Sequence, residues 1–313
     1  MNNIILGFYH LPHALLCDES CLGKEIDITI LDIKGKLCFP NLKDEILPNK
    51  PRNPLLTCPI KEETWGNNSK NGETQWGRVV SYPNYSALIS KLILKFENAL
   101  EKDVPKIYFN IADWFNKFFA LKEIFTRQSN YYSNMDIIKS TPPVDFYKYN
   151  STIKKLSIDG ENTISSIIEV GNQGLTFEEC EKIAELTNSP KQISFEYDKY
   201  KIAIQSLDKK DYASVVVNSA IAIEKALVSK IKETCKNKNI SFSKLSEKYK
   251  MLGGMFSLAE VLKISLPTTD YRTKINNLRN KVVHDGYFPQ KQEAISFLND
   301  TKKYLEAYSN IIE

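Results

Sequence analysis

The chain has 313 residues, of which 42% are hydrophobic, and a formal net charge of +4 at neutral pH. This length suits two domains of ordinary size, and the composition, without long biased tracts, excludes a disordered or fibrous protein. The charge is only mildly basic, so nonspecific electrostatic capture of RNA would be modest and any RNA-binding surface must be local.

Targeting signals and cysteine usage indicate the compartment. The first residues lack a basic leader, and no apolar run approaches the length of a membrane span. The six cysteines show no regular pairing in a chain this large, which is typical of reduced, mostly buried thiols. We therefore expect a cytoplasmic protein that does not associate with membranes.

A cluster near the start has the residue types of a zinc site. His10, His13, Cys17 and Cys21 follow an H-x2-H-x3-C-x3-C pattern. Pro12 and the apolar neighbours instead favour ordinary side chains of a strand and a loop. We expect no metal and no cofactor, and zinc is the alternative.

The first half predicts mixed structure with substantial strand. Isoleucines alternate with polar residues over 26–30, and Lys34 and Gly35 offer a turn into a second strand. Proline, asparagine and glycine over 47–71 predict irregular structure, and strand returns near 76–82. Residues 87–100 fit strand or helix equally, and 113–127 is predicted to be helical.

A domain boundary is predicted near residue 190. Thr176 and Glu179 form a capping-box pattern for a short helix, and Pro190 follows its end. The predicted fold class is α+β. A mixed α/β region over 1–190, with a sensing or regulatory role, precedes an all-α bundle over 191–313.

The helical half contains a series of predicted segments. Asp211 is the predicted N-cap of its longest helix, which is apolar nearly all round and should be the most buried. Gly253 and Gly254 are predicted to interrupt the third segment, with Ser257 and Glu260 restarting it. The segments are 197–207, 211–233, 241–264, 270–285 and 289–312.

The sequence LRNKVVHD, residues 278–285, carries the chemistry of a nuclease. Histidine titrates near neutral pH, so His284 can move protons when a ribose 2′-OH attacks the adjacent phosphate. Arg279 can clamp the negative charge that develops on the phosphate oxygens. Gly286 follows as a helix stop. The alternative is a surface pair with a capping role at the helix end.

The spacing of this pair predicts how the site is assembled. Tyr271, Ile275, Leu278 and Val282 form an apolar stripe that should pack inward. Five positions place Arg279 and His284 about 140 degrees apart on an ideal helix, so we expect them on different faces. Either the helix loosens or two chains complete the site, and we predict a homodimer through the helical domain.

The C-terminal third, roughly 195–313, resembles the HEPN superfamily. RNKVVH matches that family's R-x(4-6)-H motif with a polar residue after the arginine, and the helix over 207–231 is similar to the acidic-residue-bearing helix that precedes the motif. The resemblance implies a metal-independent, dimeric endoribonuclease of an antiviral, abortive-infection or toxin system. It implies that Arg279 and His284 are catalytic and that Asn280 supports them.

Other side chains could support this site. Glu224 borders the apolar surface of the longest helix, so it needs a cationic partner such as Arg279, or else water at the helix edge. Lysines of the helical half, among them Lys225 and Lys281, could bind RNA or simply face solvent. The expected partners are an RNA substrate and a phage or host trigger at the N-terminal domain. The alternatives are a noncatalytic dimerisation or interaction module and an RNA-binding regulator.

Overall fold

The computed structural model describes residues 4–45, 53–59, 76–80, 86–127, 144–149, 153–156 and 174–313. The chain divides into two compact units. The first unit comprises 1–119 and 130–190, and the second comprises 120–129 and 191–313. An antiparallel sheet dominates the described part of the first unit and helices make up the second, so the fold class is α+β.

The first unit is built on an antiparallel sheet. Its described strands are β1 (Ile4–Asp18), β2 (Glu25–Ile30), β3 (Ile33–Cys38), β4 (Asn41–Glu45), β5 (Asn53–Thr57), β6 (Gly77–Val80), β7 (Ser86–Phe96), β8 (Val144–Tyr149) and β9 (Ile153–Leu156), and the helices are α1 (Val104–Thr126, whose last turns belong to the second unit) and α2 (Phe177–Asn188). Two short 3-10 turns, Glu19–Cys21 and Glu101–Asp103, are also present. The sheet has the order β2-β3-β7-β1-β8-β9, with β6 also paired to β7, and β4 and β5 form a separate pair.

The predicted first hairpin is confirmed, but its turn is elsewhere. The isoleucines of β2 are buried on one face, as the alternation predicts. Ile30 pairs with Ile33, so the turn lies at residues 31–32, with Leu31 in the left-handed region at φ +57°. Gly35 instead lies within β3, where a Cβ would overlap the ring of Phe96. This glycine therefore allows the ring of Phe96 to pack closely against β3.

The other predictions for the first half have mixed outcomes. Within the segment predicted to be irregular, residues 53–57 form β5, while 46–52 and 60–71 lie outside the described residues. The ambiguous segment is strand β7, which pairs with β1 on one side and with β3 and β6 on the other. The predicted capping box is confirmed, since Thr176 Oγ1 accepts from the N–H of Glu179 and Glu179 accepts from the N–H of Thr176.

The second unit packs around its longest helix. Asp211 caps that helix by accepting from the N–H of Ser214 at 3.0 Å, as predicted. Side chains of the helix enter two apolar clusters, with Ile223 in one and Ala222 in the other, so the helix is buried on two sides. The helices are α3 (Phe195–Asp208), α4 (Tyr212–Asn237), α5 (Phe242–Ser246), α6 (Met251–Val261), α7 (Leu278–His284) and α8 (Lys291–Tyr308).

The predicted break at the paired glycines is wrong, because α6 runs through both of them. A Cβ on Gly253 would come within 3.0 Å of Asn276 Oδ1, and one on Gly254 within 2.9 Å of the backbone of Tyr249. These glycines therefore permit close approach of neighbouring chain segments. Ser257 donates to the carbonyl of Gly253 at 3.2 Å from within the helix, so it does not start a new one.

The segment predicted as one motif helix has two geometries. Residues 272–277 form a π-helical turn, and α7 follows directly as a regular α-helix. The apolar stripe is confirmed, since Tyr271 and Ile275 are buried and Leu278 and Val282 pack against the same cluster as Ile223. This stripe fixes which side of α7 faces solvent.

Candidate active site

Helix α7 presents the motif at a well-defined helix end. Its inner side contacts α4, and none of its residues is fully buried. Gly286 has φ +66° just beyond the C-cap, a conformation that glycine adopts without strain. The predicted helix stop is thereby confirmed, and the last turn that carries His284 lies at the surface.

Arg279 and His284 are in direct contact within one chain. Arg279 Nη1 lies 3.1 Å from His284 Nε2 and donates to Asn280 Oδ1 at 3.0 Å. The pair meets within a regular α-helix, so the loosened helix that the spacing suggested is not needed. A second chain is not required to bring this pair together.

The length of the arginine side chain explains the contact. Five residues advance an α-helix by only about 7.5 Å along its axis, a distance that an extended arginine can bridge even when the two Cα atoms are on different sides. His284 is the last helical residue, so its ring is not enclosed by a following turn. The angle between the two Cα positions therefore does not show how closely the functional groups of Arg279 and His284 can approach.

The chemistry of the two groups limits how they can share a hydrogen bond. A guanidinium group can only donate, so a hydrogen bond between Arg279 and His284 requires Nε2 as the acceptor and the ring proton on Nδ1. Nη1 contacts both Asn280 and His284. Three further donors on Nε and Nη2 are not used by these two contacts. The arrangement places an imidazole beside a fixed positive charge.

Glu224 of α4 interacts electrostatically with this arginine. Burial raises the pKa of the Glu224 carboxyl above its ordinary value, and the charge of Arg279 partly opposes that rise. Arg279 therefore acts on the Glu224 carboxyl as a nearby positive charge. Lys225 and Lys281 are exposed. No described hydrogen bond or ion pair joins either lysine to Arg279 or His284.

A contact that the sequence reading missed anchors the segment after the motif. Tyr287 donates to Glu293 Oε2 at 2.9 Å, and the same oxygen accepts from the N–H of Gln290 at the start of α8. The hydrogen bond to Glu293 raises the pKa of Tyr287. A glutamate three residues after Gln290 is the capping-box signal that could have revealed this anchor.

The two cysteines of the zinc alternative lie beside a third cysteine that is distant in the sequence. Cys17 and Cys21 lie with Cys180, and the three sulfur atoms are all within 4.8 Å of one another. His10 lies near Lys91 and Asp145, and the side chain of His13 is outside what the structure describes. Cys180 is distant in the sequence, so no local motif pointed to it.

Among the described residues, no helix combines the length and apolar character needed to cross a bilayer. Comparisons of the chain with protein-family models, with curated proteins and with solved structures find no match. The functional reading of this chain therefore rests on its own residues and their geometry.

Proposed function

We propose that the chain is a metal-independent endoribonuclease of the HEPN type, in which Arg279 and His284 act on an RNA phosphodiester. The observation that carries the proposal is the 3.1 Å contact between Arg279 Nη1 and His284 Nε2 at an exposed helix end. A base and a permanent positive charge at one accessible point are what cleavage by an internal 2′-OH requires.

The chemistry follows from the two groups. A phosphate oxygen competes for the guanidinium and draws it from Nε2, which frees that lone pair to accept the 2′-OH proton. The 2′-oxygen then bonds to phosphorus while the bond to the 5′-oxygen breaks. Arg279 neutralises the charge on the non-bridging oxygens. The 5′-oxygen takes a proton from an imidazolium, so the products carry a 2′,3′-cyclic phosphate and a 5′-hydroxyl.

A homodimer is part of the proposal, because two imidazoles allow one to accept a proton while the other donates. Exposed apolar side chains next to the motif support it. Phe288 is 85% exposed, and Val283 and Tyr287 are exposed beside it. Phe288→Asp should dissociate the dimer in sedimentation measurements and lower cleavage. Phe195→Asp, a change at another exposed phenylalanine, should do neither.

The decisive experiment incubates the purified full chain with total cellular RNA in the presence of a chelator. His284→Ala and Arg279→Ala should each lower cleavage by at least about 100-fold. Both variants should remain folded, because α7 has no buried residue. The control is Arg272→Ala, which removes an exposed arginine paired with Glu260 instead.

The outcomes separate the candidate functions. Products ending in 2′,3′-cyclic phosphate that disappear in both variants support the nuclease. Salt-dependent RNA binding without product would indicate an RNA-binding regulator, and inertness toward RNA would indicate an interaction module. A magnesium requirement would also contradict the proposed mechanism.

By resemblance, we propose a cytoplasmic role in antiphage, abortive-infection or toxin systems, with the first unit sensing a phage or host trigger. The test is expression in a bacterial host that is then challenged with phage. Protection should depend on His284. Equal protection by His284→Ala would separate the defence role from RNA cleavage.

A further inference from the structure

We propose that Cys17, Cys21 and Cys180 form a binding site for a thiophilic divalent ion of the zinc class in the first unit. This site lies outside the proposed nuclease site and does not depend on it. Its role is to join the end of β1 to the start of α2, which are separated by more than 150 residues of sequence.

The sulfur positions suit one ion. A zinc–sulfur bond is about 2.3 Å long, so sulfurs that share an ion lie roughly 3.8–4.0 Å apart. Cys21 Sγ and Cys180 Sγ are 3.9 Å apart. All three sulfurs are within 4.8 Å of one another, so only small side-chain movements would be needed to bring them to one ion.

The backbone around the cluster holds the three cysteines in place. Cys17 is near the end of β1, and Cys21 ends the short 3-10 turn Glu19–Cys21 that follows. Leu175, just before α2, is tied to this strand end: its N–H donates to the carbonyl of Leu16 at 3.0 Å, and its carbonyl accepts from the N–H of Asp18 at 2.9 Å. Ion binding would therefore require little ordering of the chain.

A glycine allows the backbone just before α2 to approach the end of β1 closely. A Cβ on Gly174 would come within 2.6 Å of the carbonyl carbon of Cys17, so a side chain there would push the α2 segment away from the strand. The thiol of Cys21 also lies 3.4 Å from the carbonyl oxygen of Leu175. The short distances between the sulfurs thus depend on a glycine outside any cysteine motif.

Charge also favours a cation at this position. All three cysteines are fully buried, and thiolates without a counter-charge would be costly there. A divalent ion displaces the thiol protons to solvent and neutralises most of the resulting charge.

The test uses the full chain, purified under reducing conditions and stripped of metal, with Cd²⁺ as the probe. Titration should produce sulfur-to-cadmium charge-transfer absorption that saturates at one ion per chain. Cys180→Ser should weaken binding by at least about tenfold. Cys235→Ser is the matched control, because Cys235 is buried in the second unit, and it should leave binding unchanged.

A measurement on the unmutated chain keeps the proposal testable if the serine variant does not fold. The cadmium-113 magnetic resonance shift reports the number of sulfur ligands, and we expect a position typical of three. Absence of cadmium uptake, a shift typical of oxygen ligands, equal affinity in folded Cys180→Ser, or a native Cys21–Cys180 disulfide would overturn the proposal.

Discussion

Nη1 of Arg279 lies 3.1 Å from Nε2 of His284 while donating to Asn280 Oδ1 at 3.0 Å. One nitrogen therefore orients both the imidazole and the amide. Groups linked in this way act as a unit, so removal of one changes the position of the others.

Asn280 is expected to act by positioning Arg279. Asn280→Ala removes the acceptor that fixes the guanidinium, so it should lower kcat for RNA cleavage about 10- to 100-fold with little change in KM. Single-turnover kinetics on a defined RNA would measure this effect. Asn277→Ala changes an exposed asparagine on the preceding turn and should be neutral. An unchanged kcat in Asn280→Ala would show that the amide does not orient the arginine.

Lys225 and Lys281 are expected to contact phosphates. Each alanine substitution should reduce the slope of log Kd against log salt concentration by about 1. Binding is best measured in a His284→Ala background, which prevents cleavage. Lys236→Ala, at the far end of α4, is the control. Slopes that match the control would assign both lysines to ordinary solvated helix faces.

Glu224 should make stability depend on pH. Its pKa is raised in the folded chain by burial, so the folded state binds the proton more tightly than the unfolded state does. The associated stability is fully present below the unfolded pKa and is lost as pH rises through the folded pKa. Glu224→Gln should therefore raise Tm relative to the unmutated chain at pH 8.

The Tm difference at Glu224 should disappear at about pH 3, where the carboxyl is almost fully protonated in both states. Differential scanning calorimetry across this range measures it. Glu247→Gln, at an exposed glutamate, should give no such trend. A lower Tm for Glu224→Gln at pH 8 would mean that attraction to Arg279 outweighs the cost of burial.

His10 should give the opposite pH dependence in the first unit. Burial lowers its pKa from 6.5 to about 4, assisted by Lys91 and opposed by Asp145. The folded state then binds fewer protons, so stability is present above pH 6.5 and is lost as pH falls toward 4. The upper limit is about 3 kcal/mol, which partial exposure reduces.

His10→Gln should reduce this loss of stability at low pH. The free energy of unfolding, measured in denaturant between pH 4 and 7, would show the change. The comparison is with His284→Ala, which removes an exposed histidine from the second unit. An equal loss of stability at low pH in His10→Gln would assign the pH dependence to other groups.

Local patterns predicted much of the fold. Alternating isoleucines identified β2, Asp211 identified the start of α4, and Thr176 with Glu179 identified the start of α2. Each signal acts over a few residues, because strand alternation and helix capping depend on near neighbours. The residue types of the candidate site could also be recognised from the sequence, since a guanidinium and an imidazole have the same chemistry in any fold.

Tertiary structure decided what the glycines do and which side chains meet. Gly35, Gly253 and Gly254 permit close packing, although their local sequence favoured turns and breaks. The contact between Arg279 and His284 depended on side-chain reach, which a helical projection does not contain. Cys180 joins Cys17 and Cys21 only because the sheet and α2 come together. Periodicity encodes which face of an element is buried, whereas contacts between distant residues arise only when those faces pack.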